Sequence, residues 1–210
     1  MKWRKSSEIY IMSSEAIVQN YLDDARSAMR AYKKLAEKAL AQIKDDEFFV
    51  TLDEESNSVA VIMKHMAGNM LSRWTDFLNS DGEKPNRNRD MEFVIEANTT
   101  KDEVLAYWER GWQCVFDALS PLTPDDCEKT VTIRGETHTI VQALNRQLMH
   151  YAYHIGQIVF LAKHFRSAQW TSLSIPRNRS AEFNAHLNAQ PGVADREKQF
   201  DAAAKLFENK

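Results

Sequence analysis

The stretch 149-MHYAYHIGQ-157 places His150 and His154 four residues apart, on one face of any helix that runs through it. Two imidazoles so placed are either a pair satisfied by hydrogen bonds or two ligands to a metal ion. The protease pattern H-E-x-x-H is absent because Tyr151 stands where the general-base glutamate belongs, so zinc-protease chemistry of that type is not expected. A third ligand would strengthen the metal reading. His164 and His138 are poor choices, lying about 15 Å and about 18 Å along a helix axis from the nearer member of the pair at ~1.5 Å per residue. His65 fits best, midway along the apolar side of an earlier helical pattern with Ile62, Met66 and Trp74 in register, while His186 in the tail stays open as an alternative. Three inward-facing histidines on two helices favour a metal over three hydrogen-bonded core residues.

Three neutral imidazoles leave a divalent ion its full charge, which lowers the pKa of a bound water to about 7 or deprotonates a thiol. Zinc and nickel suit such a set first, with copper and iron as alternatives, and an open fourth position separates a catalytic site from a structural one. Gln147 and Gln157 share the stripe of the histidine pair, and Asn69 lies one turn after His65, so each is a candidate to orient a histidine or simply a polar residue between helices. Tyr153, beside His154, is a candidate proton donor or a packing residue. Arg87 and Arg89 fall in an irregular segment at 80–98, and Arg177 in another beside Pro176. Both segments read as lids whose arginines hold a carboxylate-bearing substrate or thiol, or as solvated charged loops.

Four long helical patterns must position these residues. The first starts at Ser13 or Ser14 and carries Ile17, Val18, Tyr21, Leu22, Met29, Tyr32, Leu35, Ala39 and Ile43 at helical spacing. The second runs from about 57 to 79 and stops at Ser80-Asp81-Gly82. The third opens on a Thr100/Glu103 capping box and ends before Ser120-Pro121; the fourth opens on a Thr139/Gln142 box and continues to about Phe165. Between them, 131-VTIRGETH-138 is either a small hairpin around Arg134-Gly135 or a loop. The fourth helix is apolar nearly all round apart from the histidine stripe, which predicts a central position. The segment 195-DREKQFDAAAKLFENK-210 reads as an added amphipathic helix.

Composition narrows the function classes. The chain has 210 residues, a formal net charge of -3 and no basic block, so nucleic acid is not an expected partner. No apolar run reaches the ~18 residues of a membrane span, and the opening MKWRKSSEIYIM lacks the apolar stretch of a secretory signal, which predicts a cytoplasmic protein without membrane attachment. Two cysteines, Cys114 and Cys127, are too few for a disulfide framework or a thiolate cluster.

The combination of 65-HMAGNMLSRWTDF-77 with 150-HYAYHIGQIVFLAKH-164 resembles the DinB/YfiT-like superfamily of metal-binding proteins. The segments 81-DGEKPNRNRDMEF-93 and 170-WTSLSIPRNRSAEFN-184 resemble a branch of small bacterial proteins without assigned function, and the likeness covers about 14–184. The resemblance implies an all-α fold, an up-down-down-up four-helix bundle, with a metal on residues matching His65, His150 and His154, and often a homodimer. The chain then reads as a single domain over 1–210, with its bundle core at about 14–165 and an irregular extension, ending in the short helix, at about 166–210. Superfamily members include thiol S-transferases that use bacillithiol, mycothiol or glutathione and a maleylpyruvate isomerase type. The expected activity is therefore metal-dependent transfer to a small molecule with a low-molecular-weight thiol. A metal-dependent hydrolase, or a non-catalytic dimeric binding module linked to stress, are the alternatives.

Overall fold

Each long helix begins where a short polar side chain takes up a free backbone N–H group, and three of these positions, Ser13, Thr100 and Thr139, are ones the sequence marks, whereas Ser58 is not. In the computed structural model, which describes residues 12–189 and 196–207, helix α1 (Ser14–Leu40) is capped by Ser13 and α2 (Val59–Trp74) by Ser58. Helix α3 (Lys101–Leu119) and helix α4 (Ile140–Arg166) both open on complete capping boxes, Thr100 with Glu103 and Thr139 with Gln142. Helix α2 ends five residues earlier than its apolar pattern suggests, because Thr75 turns extended and Asp76 adopts φ 48, a left-handed conformation that aspartate tolerates. The sequence 131–138 is a hairpin, not a loop: β1 (Thr130–Ile133) pairs antiparallel with β2 (Glu136–Thr139), and both turn residues, Arg134 and Gly135, have positive φ. The described residues are thus mostly helical, with one two-stranded sheet.

Side-chain bonds fix the relative sense of the helices. Tyr21 near the start of α1 donates to Asn145 near the start of α4, and Gln42 just after α1 exchanges two bonds with Thr171 just after α4, so these helices run the same way. Arg26 donates to the carbonyls of Leu119 and Leu122 at the C-terminal end of α3, and Lys33 pairs with Glu109, so α3 runs opposite to α1. Gly111 of α3 packs on Ala67 and Met70 of α2, and Thr75 reaches Cys114, so α2 and α3 are parallel. Trp74 donates to the Tyr151 hydroxyl, which donates to Asn69; His65 meets His150 and His154, so α2 and α4 are antiparallel.

The most enclosed helix is α2, not α4. Its residues are buried almost throughout, including Ser72 and Arg73, whereas α4 leaves Met149, Tyr153 and Phe160 at 69%, 63% and 62% exposure. Apolarity alone ranks α4 as central, but the polar residues of α2 are sheltered by the segment that follows it. Ser72 donates to the Gly82 carbonyl and accepts from Lys84 N–H, and Gly82 N–H bonds to Thr132 of β1. The Asp81 carboxylate accepts from the N–H groups of Arg134 and Gly135 and so holds the hairpin turn against this segment. The stretch 166–210 is less irregular than its sequence suggests. It contains α5 (Ser180–Ala189), which buries Phe183, as well as α6 (Arg196–Phe207), whose Asp201 pairs with Lys34 and Lys38 of α1. Asp195 and residues 208–210 of the expected terminal helix lie outside the described residues. None of the described helices is long and apolar enough to cross a membrane.

The contact at Gly111 has no room for a side chain: a Cβ there would stand 3.0 Å from the Ala67 Cα and 3.1 Å from the Met70 sulfur. Gly111→Val is expected to force α2 and α3 apart and lower stability by about 1–3 kcal/mol. Urea denaturation of the two proteins checks this, and an unchanged midpoint would contradict the packing.

Candidate metal centre

His65 reaches the site from α2, and His150 and His154 from α4 one turn apart. Their Nε2 atoms converge, with 3.4 Å between His65 and His150 and 3.1 Å between His150 and His154, and the three candidate ligand atoms all lie within 4.8 Å of one another. The rings meet edge-on, at interplanar angles of 77°, 69° and 76°. Three nitrogens bound to one tetrahedral ion at ~2.0–2.1 Å stand about 3.3 Å apart, which the His65–His150 and His150–His154 separations approach. The three histidines are close enough together to bind a metal ion.

The remaining ring nitrogens decide which atoms carry protons. The Glu92 carboxylate accepts from His65 Nδ1 at 2.8 Å, and the Gln157 amide oxygen accepts from His154 Nδ1 at 2.8 Å. In a neutral ring these acceptors favour the tautomer with its proton on Nδ1, which leaves Nε2 as a lone pair aimed at the common centre. Lone pairs brought together away from bulk water repel unless a cation or a shared proton sits among them, which is the donor chemistry a metal requires. Burial, and then the charges of His154, His65, Arg73 and Arg87, push His150 down to about 3. Burial also depresses His154 and outweighs the opposing hydrogen bond from Gln157. Both imidazoles are thus neutral at pH 7, the form that ligates.

Behind His65 stands a buried ion pair. Arg87 grips Glu92 with two bonds, Nε to Oε1 at 2.8 Å and Nη2 to Oε2 at 2.9 Å, and also donates to Glu83, which in turn accepts from Arg73 and Arg134. Burial opposes the charge on Glu92, but the bonds from His65 and Arg87 outweigh it and hold the carboxyl below its ordinary value. Arg87 is raised by the same pair despite its burial. The Glu92 carboxylate also fits only because residue 68 is glycine: a Cβ there would overlap it, 2.7 Å from its Cδ.

His65 and His150, but not His154, open onto a cavity of about 220 Å³ lined also by Asn69 and Gln147 together with Arg73, Arg87, Arg89, Arg134 and Arg146. Of the residues the sequence singles out, Gln157 contacts a histidine. Asn69 instead accepts from Tyr151, and Gln147 lines the cavity without touching a ring nitrogen. Arg87 is engaged by Glu92 and Glu83, and Arg89 lies over the Phe93 ring at the cavity edge. Arg177 is exposed and does not line this cavity, and Tyr153 is exposed with its ring 4.9 Å from that of His154. His186, the alternative third histidine, is on α5 and outside the cluster. Sequence reasoning passed over Glu92, Arg73, Arg134 and Arg146. Only the charge density of 80–98 hinted at Glu92, and nothing local marked the others.

The depressed His150 sets a pH dependence for the metal-free protein. Its folded value lies below the ordinary imidazole value of 6.5, so the unfolded chain takes up the proton first, and the stability tied to the neutral ring is present above about 6.5 and lost as pH falls toward 3. The urea midpoint of metal-free protein is expected to fall between pH 7 and 5, before carboxylates titrate, and to fall less in His150→Gln. Parallel declines in the two proteins would contradict this.

The chain matches the family described as "Protein of unknown function (DUF1572)" over residues 16–179, which includes all four long helices apart from the first two residues of α1. Comparison with curated proteins finds no match. His65, Glu92, His150, His154 and Gln157 all fall inside the matched span, and the chain belongs to the DUF1572 family.

Proposed function

We propose that this protein is a metal-dependent enzyme of DinB-like architecture, a transferase acting with a low-molecular-weight thiol at a centre held by His65, His150 and His154. The observation that carries the reading is the convergence of three imidazole nitrogens within 4.8 Å of one another, with two of the three histidines, His65 and His150, on the wall of a cavity. The up-down-down-up bundle is supported by the senses of the four long helices, and a single-domain reading by the one core they share. A divalent metal, zinc or nickel by ligand type, would supply a +2 charge that favours the ionised over the neutral thiol. The chain's own residues do the rest. Glu92 and Gln157 orient two of the ligands, Arg87 keeps Glu92 charged, and the cavity arginines hold the anionic end of thiol or substrate. Conjugation then joins the thiolate sulfur to an electrophilic carbon as the leaving group departs. The hydrolase reading uses the same centre with water as nucleophile, and the non-catalytic module uses it for stability alone.

A homodimer is part of the same proposal. Met149, Tyr153 and Phe160 support it, being large exposed side chains at helical spacing on one face of α4.

Protein purified without a histidine tag is expected to contain about one divalent transition metal per chain by elemental analysis. Replacement of His65, His150 or His154 by Ala should remove most of it, and a folded protein that takes up neither zinc nor nickel would overturn the proposal. Gly68→Ala, which displaces Glu92 without touching a ligand, should weaken metal binding by about 10–100-fold. Metal-loaded protein should conjugate monochlorobimane to glutathione or a related thiol faster than His154→Ala. Equal rates with every thiol would remove the transferase, and thiol-independent ester or amide cleavage would make the protein a hydrolase. Light scattering should give twice the 24.2 kDa chain mass, and a monomer at micromolar concentration would sink the dimer.

A further inference from the structure

We propose that the cavity beside the histidines is a binding site for a small oxyanion, a carboxylate or phosphate group whose neighbouring atoms include an O–H or N–H donor. The proposal deepens the reading above by naming the chemical class of the substrate, and it rests on that reading only in calling the ligand a substrate.

The charge balance comes first. Guanidinium groups from five positions line a space of about 220 Å³: Arg73 from α2, Arg87 and Arg89 from the segment after it, Arg134 from the hairpin turn and Arg146 from α4. The carboxylates paired with them are Glu92, taken up by Arg87 and His65, and Glu83, shared among Arg73, Arg87 and Arg134. Neither Arg89 nor Arg146 has a carboxylate partner among the described residues, and the Phe93 ring is a weak one for Arg89. Positive charge gathered from four separate elements into one cavity repels itself, and among the described residues the nearby carboxylates, Glu83, Glu92 and Asp81, offset only part of it. An anion does so with the bidentate geometry that guanidinium favours.

Two buried atoms supply independent evidence. Arg73 Nε and Gln147 Oε1 have no hydrogen-bond partner among the described residues, although their residues are 4% and 3% exposed and both line this cavity. An unpaired buried donor or acceptor forfeits the hydrogen bond it made with water, which a ligand of matching polarity restores. The Arg73 N–H calls for an acceptor such as an anionic oxygen, and the Gln147 oxygen calls for a donor beside it. The volume is below the ~300–1,000 Å³ of sites that enclose a whole drug-sized molecule, so the cavity takes a small acid or one end of a longer molecule. His150 shares the wall, one turn beyond Arg146, so an anion held here places its adjoining atoms at the histidine centre.

Isothermal titration of metal-free protein tests this with three probes: L-lactate, inorganic phosphate and lactamide, the neutral counterpart of lactate. We expect lactate or phosphate to bind at millimolar concentration or below and lactamide to give no heat. Arg134→Ala/Arg146→Ala should weaken the anion at least about tenfold, and Lys163→Ala, which removes a positive charge from α4 outside the cavity, should leave it unchanged. Arg146→Gln alone, at an exposed position, serves if the double variant is unstable and should weaken binding in the same direction. Preference for lactate assigns the site to carboxylates and preference for phosphate to phosphate esters. Absence of heat with both anions, equal binding of lactamide, or wild-type affinity in the arginine variants would overturn the proposal. Metal content of the double variant, measured separately, should equal that of the wild type. A protein that binds no metal but keeps arginine-dependent anion binding would sink the metal-enzyme reading and leave this site standing.

Discussion

Glu92 has to be charged, buried and within hydrogen-bonding distance of His65 at the same time, and the architecture around the site follows from that requirement. An isolated carboxylate in such a place would take up a proton to escape the cost of desolvation. Arg87 prevents this with two parallel bonds, and Glu83 on the far side of Arg87 ties the pair to Arg73 of α2 and Arg134 of the hairpin. Deleting one member of a buried pair of this kind typically costs about 3–5 kcal/mol, because the survivor is left uncompensated. The network therefore locks the orientation of His65 through the stability of the fold itself.

That lock explains features that otherwise look unrelated. The abrupt end of α2 at Trp74 lets the chain turn back, and Ser72, Asp81 and Gly82 stitch the returning segment to α2 and to the hairpin. The returning segment then carries Arg87 and Glu92 over the exposed edge of α2, where Gly68 leaves the space the carboxylate occupies. Gly111 performs a similar service on another face, allowing α3 to approach α2 closely. A helix rich in polar groups, with His65, Asn69, Ser72 and Arg73, is consequently the most enclosed one in the protein, since its neighbours supply partners for those groups.

The site that results is asymmetric. One side carries the imidazoles, with Glu92 and Gln157 at the outer nitrogens of His65 and His154; the other is a set of guanidinium groups in excess over the described carboxylates. Low dielectric surroundings strengthen both influences, so under the two proposals above a ligand spanning the site would meet the metal at one end and the guanidinium groups at the other. The DUF1572 family carries no function in its description, and the chemistry has to be argued from this pairing rather than from descent.

Much of this protein was legible in its sequence because the relevant interactions are short in range. Helix starts at Ser13, Thr100 and Thr139 are set by hydroxyls and side chains three residues apart, and the four-residue interval of His150 and His154 places both rings on one face whatever surrounds them. His65 could be chosen from its place on an apolar stripe. The tertiary structure alone decided what stands behind and beside these histidines: Glu92 is 27 residues from His65, and Asp81, which holds the hairpin turn, is 53 residues from Arg134. It also decided that α2 and not α4 is enclosed, since apolarity measures the tendency to be buried, while burial of a polar helix depends on partners delivered by distant chain. Local spacing determines which side chains can act together, but the pairing of charges across the fold settles which of them are free to act.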